Sequence, residues 1–215
     1  MQLEGYRRPV IAGQEYFDDR AALIAYGQRW PGQPAQESYS VTAHRQRFAP
    51  LHTVAQALMD WLLARFEVRC VQDPGLAAAL GYATEPVVQS VRLIPADPAC
   101  APLGLVFTDF PGVILEVGAL YQLRFPFCGC DACDDFVEEL LDDLEEQIAT
   151  AAAGHFTEIL DESGSGLLTH RFDPDGAAGR ESSGGVEGIS PERLARARAM
   201  LPADGVWAPW PVRGV

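Results

Sequence analysis

The chain has 215 residues; its 30 Asp and Glu outnumber its 16 Arg, no Lys occurs, and the formal net charge is -14. This acidity argues against a nucleic-acid partner or an anionic membrane partner, because both are contacted through an excess of cations. No apolar run approaches the roughly 18 residues of a membrane span, and residues 1–9 lack the apolar core of a signal peptide. We therefore expect a soluble, cytoplasmic, globular protein.

The first third of the chain contains helical patterns of different strength. Apolar residues at helical spacing predict a helix over residues 15–28, and residues 39–47 alternate as in a short strand. A broad apolar stripe predicts a core helix that begins at Pro50. Its members are Leu51, Val54, Leu58, Trp61, Leu62 and Phe66. A shorter helix is predicted over residues 76–80.

Short β-rich segments separated by Pro and Gly follow. They cover residues 87–94, 103–108, 113–117 and 120–125. The connections are too short for helical crossovers, and Pro111 with Gly112 suits the central positions of a tight turn. The pattern predicts a four-strand antiparallel meander.

A long amphipathic helix is predicted over residues 133–153, and the following segment resembles a hairpin. The two hairpin strands are residues 155–160 and 167–172, joined by a turn at residues 163–166. We expect one α+β domain over residues 1–172, with a mostly antiparallel sheet and the helices packed on one of its faces.

The C-terminal region differs in composition from the rest of the chain. Residues 173–189 are rich in Gly and Ser and predict a flexible loop. Ser190 before Pro191 is a strong helix start, so residues 190–215 are predicted to form a helix and a Pro/Trp tail packed on the same domain. We expect the indoles of Trp207 and Trp210 to lie on the surface.

Three of the five cysteines, Cys128, Cys130 and Cys133, lie within six residues. Asp131 is the predicted N-cap of the long helix, which would place Cys133 in its first turn and lower the pKa of that thiol. The spacing C-x-C-x-x-C predicts a zinc site with a structural role at the junction of strand and helix. Free thiols in a metal-free interaction module, and a redox or zinc-dependent enzyme that uses the same cysteines, are the alternatives.

A fourth zinc ligand has to come from another position. We rank Cys100 first, because the loop joining the first two meander strands could approach the end of the sheet that carries Cys128. The other candidates are Asp131, Asp134, Cys70, His44, His52 and His170. His155 is excluded, because a continuous helix with a rise of about 1.5 Å per residue would separate it from Cys133 by about 30 Å.

The negative charge is concentrated near the cysteines. Between Arg124 and Arg171 there are 12 acidic residues and no Arg. Eight acids fill the polar face of the predicted long helix: Asp134, Asp135, Glu138, Glu139, Asp142, Asp143, Glu145 and Glu146. This face is either a solvated surface or a docking face for a basic protein partner. The arginines of the last helix, Arg193, Arg196 and Arg198, are an internal complement to this face or part of the solvated surface.

The segment around the cysteines also resembles a family signature. Residues 125–134, with Phe-Pro-Gly at residues 110–112 before them, resemble the C-G-C-D-x-C-D signature of an uncharacterised family of high-GC actinobacterial proteins. The resemblance covers most of the chain. It implies no activity, substrate or catalytic residue. Without Lys, both a phosphate-binding loop lysine and Schiff-base chemistry are excluded.

Overall fold

The computed structural model describes residues 4–161, 166–173 and 179–214. Its helices and strands are, in chain order, α1 (Pro50–Arg65), β1 (Val68–Gln72), α2 (Leu76–Ala79), β2 (Val87–Pro95), β3 (Leu103–Thr108), β4 (Val113–Val117), β5 (Tyr121–Phe125), α3 (Val137–Ala152), β6 (Phe156–Leu160), β7 (Leu167–Phe172), β8 (Arg180–Gly185) and α4 (Pro191–Met200). Two 3-10 helices, Gln36–Ser40 and Arg45–Phe48, precede α1. The predicted α+β class with mostly antiparallel sheet is confirmed.

The larger sheet is an antiparallel meander in which β1 to β5 follow one another in sequence order. The four predicted strands are confirmed as β2 to β5. Strand β1 is an additional edge strand, with Val68 opposite Pro95 and Gln72 opposite Val91. Only Val68 of its five residues is buried, so β1 lacks the apolar alternation that identifies a strand in a sequence.

Both faces of this sheet are covered. Successive side chains of a strand point to opposite faces. Leu105 and Leu115 therefore share the main core with α1 and α3, whereas Val106 and Ile114 pack against Leu76 of α2 in a smaller cluster. The two long helices lie together on one face, and the short helix α2 lies on the other.

The second sheet has the order β6-β7-β8 and is also antiparallel. The predicted hairpin forms β6 and β7. Part of the predicted flexible loop is instead β8, whose residues are exposed and pair through their backbone with β7 from Leu167–Gly185 to Phe172–Arg180. Hydrogen bonds between the backbones of neighbouring strands do not require buried side chains. A segment rich in Gly and Ser can therefore form this strand. Residues 162–165 and 174–178, which hold most of the predicted turn and part of the predicted loop, lie outside the described residues.

The predicted helix over residues 15–28 is wrong. The Asp18 carboxylate accepts hydrogen bonds from the N–H groups of Arg20 and Ala22, both at 2.8 Å, and Ala21 adopts a φ of +59°. Such side-chain bonds offer the backbone an alternative to a helix. The predicted strand over residues 39–47 is likewise replaced by the ends of the two 3-10 helices.

The C-terminal tail is part of the core, contrary to the expected surface position of its indoles. Trp207 is 1 % exposed and Trp210 is 3 % exposed. The Trp207 Nε1–H donates to Glu158, and the Trp210 Nε1–H donates to the carbonyl of Ala101 at 2.9 Å. Burial of the large rings, with their N–H groups satisfied, holds the proline-rich tail in place without regular structure.

Helix α4 begins as predicted, with the Ser190 hydroxyl accepting from the N–H of Arg193. The Arg193 guanidinium is buried and donates to Glu116 of β4 at 3.2 Å. Glu116 also accepts from Arg92 of β2 at 2.6 Å. Arg193 is therefore paired with a strand carboxylate and not with the acidic helix.

Among the described residues, none of the helices combines the length and the apolar character that crossing a bilayer requires.

Candidate metal centre

The three clustered cysteines lie in the connection between β5 and α3. The Sγ atoms of Cys128, Cys130 and Cys133 all lie within 4.8 Å of one another, and those of Cys130 and Cys133 are 3.5 Å apart. Cys130 is buried, and the other two are exposed. In the described part of the chain, no other group of three or more His, Cys, Asp or Glu ligand atoms lies this close together.

These separations suit a shared metal ion. Tetrahedral zinc with Zn–S distances of about 2.3 Å holds its sulfur atoms about 3.8 Å apart. The three thiols are free, and their observed spacing brackets this value. The separations are therefore compatible with one ion shared by the three thiols.

The loop that carries the three cysteines, residues 126–136, has backbone conformations that most residue types disfavour. Gly129 has a φ of +79°, and a Cβ at this position would lie 2.8 Å from the Phe110 ring. Both features require glycine. Asp134 also adopts a positive φ, of +52°, and the helix begins only at Val137. The prediction that the helix begins at Cys133 with Asp131 as its N-cap is therefore wrong.

Asp131 instead anchors the loop to the N-terminal third of the chain. It is 3 % exposed, and its carboxylate accepts from the Ala43 N–H at 2.8 Å and from the Arg29 guanidinium at 3.0 Å. The guanidinium of Arg47, itself 4 % exposed, lies 4.0 Å away. A buried carboxylate needs such partners.

Backbone hydrogen bonds reinforce this anchor. The N–H groups of Asp131 and Ala132 donate to the carbonyls of Val41 and Ser38, at 2.8 and 3.1 Å. The Trp30 indole donates to the Asp131 carbonyl at 3.0 Å. The segment between Cys130 and Cys133 is thus held in one geometry from outside the loop.

Within the cluster the thiols have different acidities. Burial alone would raise the pKa of Cys130, but hydrogen bonds from the N–H groups of Cys133 and Ala132 and from the neighbouring thiols lower it below its ordinary value. Burial and the two neighbouring sulfurs raise the pKa of Cys133 to about 12. The expected lowering by a helix N-terminus is wrong, because α3 begins four residues later. Cys130 therefore loses its proton more readily than Cys133.

The nearby carboxylates have partners other than the thiols. Asp134 accepts from the Arg29 N–H at 2.8 Å, and Asp131 accepts from Ala43 and from the Arg29 guanidinium. Burial raises the pKa of Asp135, opposed by the Arg47 charge and by the hydrogen bond from the Gly129 N–H. The structure does not bring Asp131 or Asp134 into the group of ligand atoms.

Cys100, the first-ranked fourth ligand, is not in the group either. Its side chain is buried in the connection between β2 and β3, and its thiol donates to the carbonyl of Pro209 at 3.2 Å. Burial and the nearby Asp97 raise the pKa of Cys100 to about 11. This thiol contacts the C-terminal tail, which the sequence-based placement of the loop did not anticipate.

The remaining candidates also lie elsewhere. Cys70 is on the edge strand β1. The histidine ring nitrogens bond to other groups: His44 to the Tyr26 hydroxyl, His52 to the Gly112 carbonyl and His170 to the Glu158 carboxylate. Among the described residues, three candidate ligands thus lie together, and a tetrahedral ion held by them would have its fourth position open to solvent or to an added ligand.

The sequence interpretation missed Arg29 and Arg47, which support the loop. Arg29 lies 102 residues before its carboxylate partner. No local spacing or periodicity connects residues so far apart. Arg29 follows the segment predicted as a helix, and Arg47 ends the segment predicted as a strand. The only available signal was the presence of Arg and Trp next to each other at positions 29 and 30.

Comparisons with known proteins place the chain in a family but give it no activity. Neither the curated proteins nor the solved structures contain a significant match to it. The resemblance to an uncharacterised family is confirmed. Residues 12–214 match the family model described as a family of unknown function (DUF6226), and the chain belongs to that family.

Proposed function

We propose that Cys128, Cys130 and Cys133 bind a zinc ion that fixes the connection between β5 and α3. One observation carries this proposal: three Sγ atoms lie within 4.8 Å of one another on a loop that the rest of the protein already holds in shape. A preorganised set of soft thiolate ligands suits zinc and disfavours Mg²⁺ or Ca²⁺, which require oxygen ligands.

A structural role is favoured over catalysis by what surrounds the thiols. An enzyme would need a substrate pocket and a general base beside the open position of the ion. The large groove near the start of α3 includes Asp135 in its wall but none of the three cysteines. Zinc bound here would connect the end of the sheet to the acidic helix.

The metal content of the purified protein tests this function. We expect roughly one zinc ion per chain in protein prepared without a nickel column, and less than about a tenth of that in Cys130→Ser, because a site with two thiolates loses most of its affinity. Cys70→Ser is the matched control, since it removes a thiol from β1 and leaves the cluster intact. Elemental analysis gives both values.

Two outcomes would contradict the proposal. One is metal-free protein that, after full reduction, also fails to compete with a chromophoric chelator for added zinc. The other is Cys70→Ser losing as much metal as Cys130→Ser. If the metal-free protein instead shows a reversible two-electron couple that depends on Cys130 and Cys133, the redox alternative replaces the zinc site.

A further inference from the structure

A groove of about 700 Å³ lies between residues 10–28, the start of α1 and the start of α3. This volume is within the range of about 300 to 1,000 Å³ that is typical of ligand sites. None of the three clustered cysteines lines it. The groove is therefore a second candidate site, separate from the proposed zinc ligands.

Two buried side-chain atoms of residues in its wall, one from Arg47 and one from Asp135, lack a hydrogen-bond partner. Arg47 uses its terminal nitrogens to donate to the carbonyls of Ala43 and Gly129, but its Nε–H has no acceptor. Oδ2 of Asp135 is buried and has no donor. Both atoms lie just beneath the groove surface with almost no accessible area, so an occupant reaches them only after these side chains shift, and it must then present an acceptor and a donor. The peptide group carries both, as its C=O and its N–H.

The charge around the groove points to a basic occupant. Glu15, Glu138 and Glu139 line it, and no cation of the described residues forms an ion pair with any of them. In the described part of the wall Arg47 is the one cation, and it lies beside the buried Asp131 carboxylate, which offsets its charge. The groove therefore has an excess of unpaired negative charge, complementary to Lys or Arg side chains.

Acidic residues in the middle of α3 form ion pairs within the described part of the chain, unlike those at its start. Arg8 bonds to both Asp142 and Glu145, and Arg180 bonds to Asp143 at 3.0 Å. The chain thus supplies its own cations to the middle of the acidic helix. Of the acids on the polar face of α3, Glu138 and Glu139 line the groove and are not in an ion pair with a described residue.

Apolar side chains complete the groove wall. Ile11, Ile24 and Val137 line it partly exposed, and Phe136 is 40 % exposed. In an extended peptide, alternate side chains point to opposite sides. A peptide that alternates basic and apolar residues would place its basic side chains beside the three glutamates and its apolar side chains against these apolar residues.

We propose that this groove binds an extended basic peptide segment of a partner protein. A backbone carbonyl of the segment accepts from Arg47 Nε, a backbone N–H donates to Asp135, and Lys or Arg side chains pair with Glu15, Glu138 and Glu139. None of the residues that make these contacts is a proposed zinc ligand.

A fluorescein-labelled peptide of about eight residues with alternating Arg and Leu serves as the probe. In fluorescence anisotropy at about 0.15 M ionic strength, we expect saturable binding that is at least about tenfold weaker when Gln replaces Arg and absent when Glu replaces Arg. Glu138→Gln/Glu139→Gln is expected to weaken binding about tenfold. The control Glu146→Gln/Glu187→Gln changes the net charge equally outside the groove and is expected to change affinity less than about twofold.

Hydrogen exchange locates the bound peptide. The expected result is slower exchange of amides in residues 10–16 and 136–139, in variants whose melting temperatures match that of the unmodified protein. The proposal is overturned if the Arg peptide shows no saturable binding, if both double variants weaken binding equally, or if protection appears only outside the groove.

Discussion

Replacing Glu158 by Ala is expected to lower the free energy of unfolding by at least about 4 kcal/mol, because it leaves several buried donors without an acceptor. Glu158 is fully buried. Its carboxylate accepts from the N–H groups of Ala119, Leu120 and Tyr121 at 2.7 to 3.1 Å. This carboxylate therefore joins the second sheet to the turn between β4 and β5.

Two further donors share the same carboxylate. The Trp207 indole donates to Oε2 at 3.3 Å, and the His170 ring lies 3.2 Å from Oε1. Both oxygens of Glu158 accept from a backbone N–H. Glu158→Gln keeps the size of the side chain but turns its NH2 group toward one set of donors, whichever way the amide is oriented. We expect it to cost about 2 to 3 kcal/mol.

Urea unfolding of the three proteins measures these differences. The control is Glu181→Ala on β8, whose carboxylate is exposed and lies 3.3 Å from Arg171. Exposed pairs contribute little, so its expected effect is within about 1 kcal/mol. A Glu158→Gln protein as stable as the unmodified one would show that these donors do not depend on the negative charge.

The parts of the fold that the sequence predicted are those encoded by local periodicity. The apolar stripe of α1 and its start at Pro50 needed only a spacing of three and four residues. Strands β2 to β5 were identified by short apolar runs between turn residues, to within one residue at each end. Their side chains are largely buried, so the pattern is strong.

Long-range contacts determine the parts that could not be predicted. The tail looked irregular from its prolines, yet Trp207 is buried because a carboxylate 49 residues earlier accepts its N–H. The exposed strand β8 is defined by its pairing with β7 and not by its own residues. Asp18 ends a helical pattern with hydrogen bonds that its periodicity does not reveal.

At the candidate metal centre, too, features set by local spacing were predictable and features set by long-range contacts were not. The closeness of Cys128, Cys130 and Cys133 followed from their spacing, and the structure confirms it. The role of Asp131 did not follow, because its partners lie in the N-terminal region. Asp131 resembled a helix cap, but contacts 88 and 102 residues away determine its orientation.

Asp131→Asn is expected to lower the free energy of unfolding by about 3 kcal/mol, because it leaves buried Arg47 without its nearest countercharge. It should also reduce zinc affinity about 10- to 100-fold, the usual effect of losing a group that orients metal ligands. Asp131 lies between two of the three proposed ligands and fixes the loop that carries them. Its removal therefore acts on both the fold and the site.

Competition with a chromophoric chelator, under conditions in which the variant is fully folded, separates the two effects. Asp73→Asn is the matched control, because it removes a carboxylate that pairs with Arg92 at 2.7 Å on the larger sheet, away from the cysteines. It should lower stability without changing zinc affinity. If Asp131→Asn also left zinc affinity unchanged, the carboxylate would stabilise only the fold, and the thiols would be preorganised by the backbone bonds to Ser38 and Val41 alone.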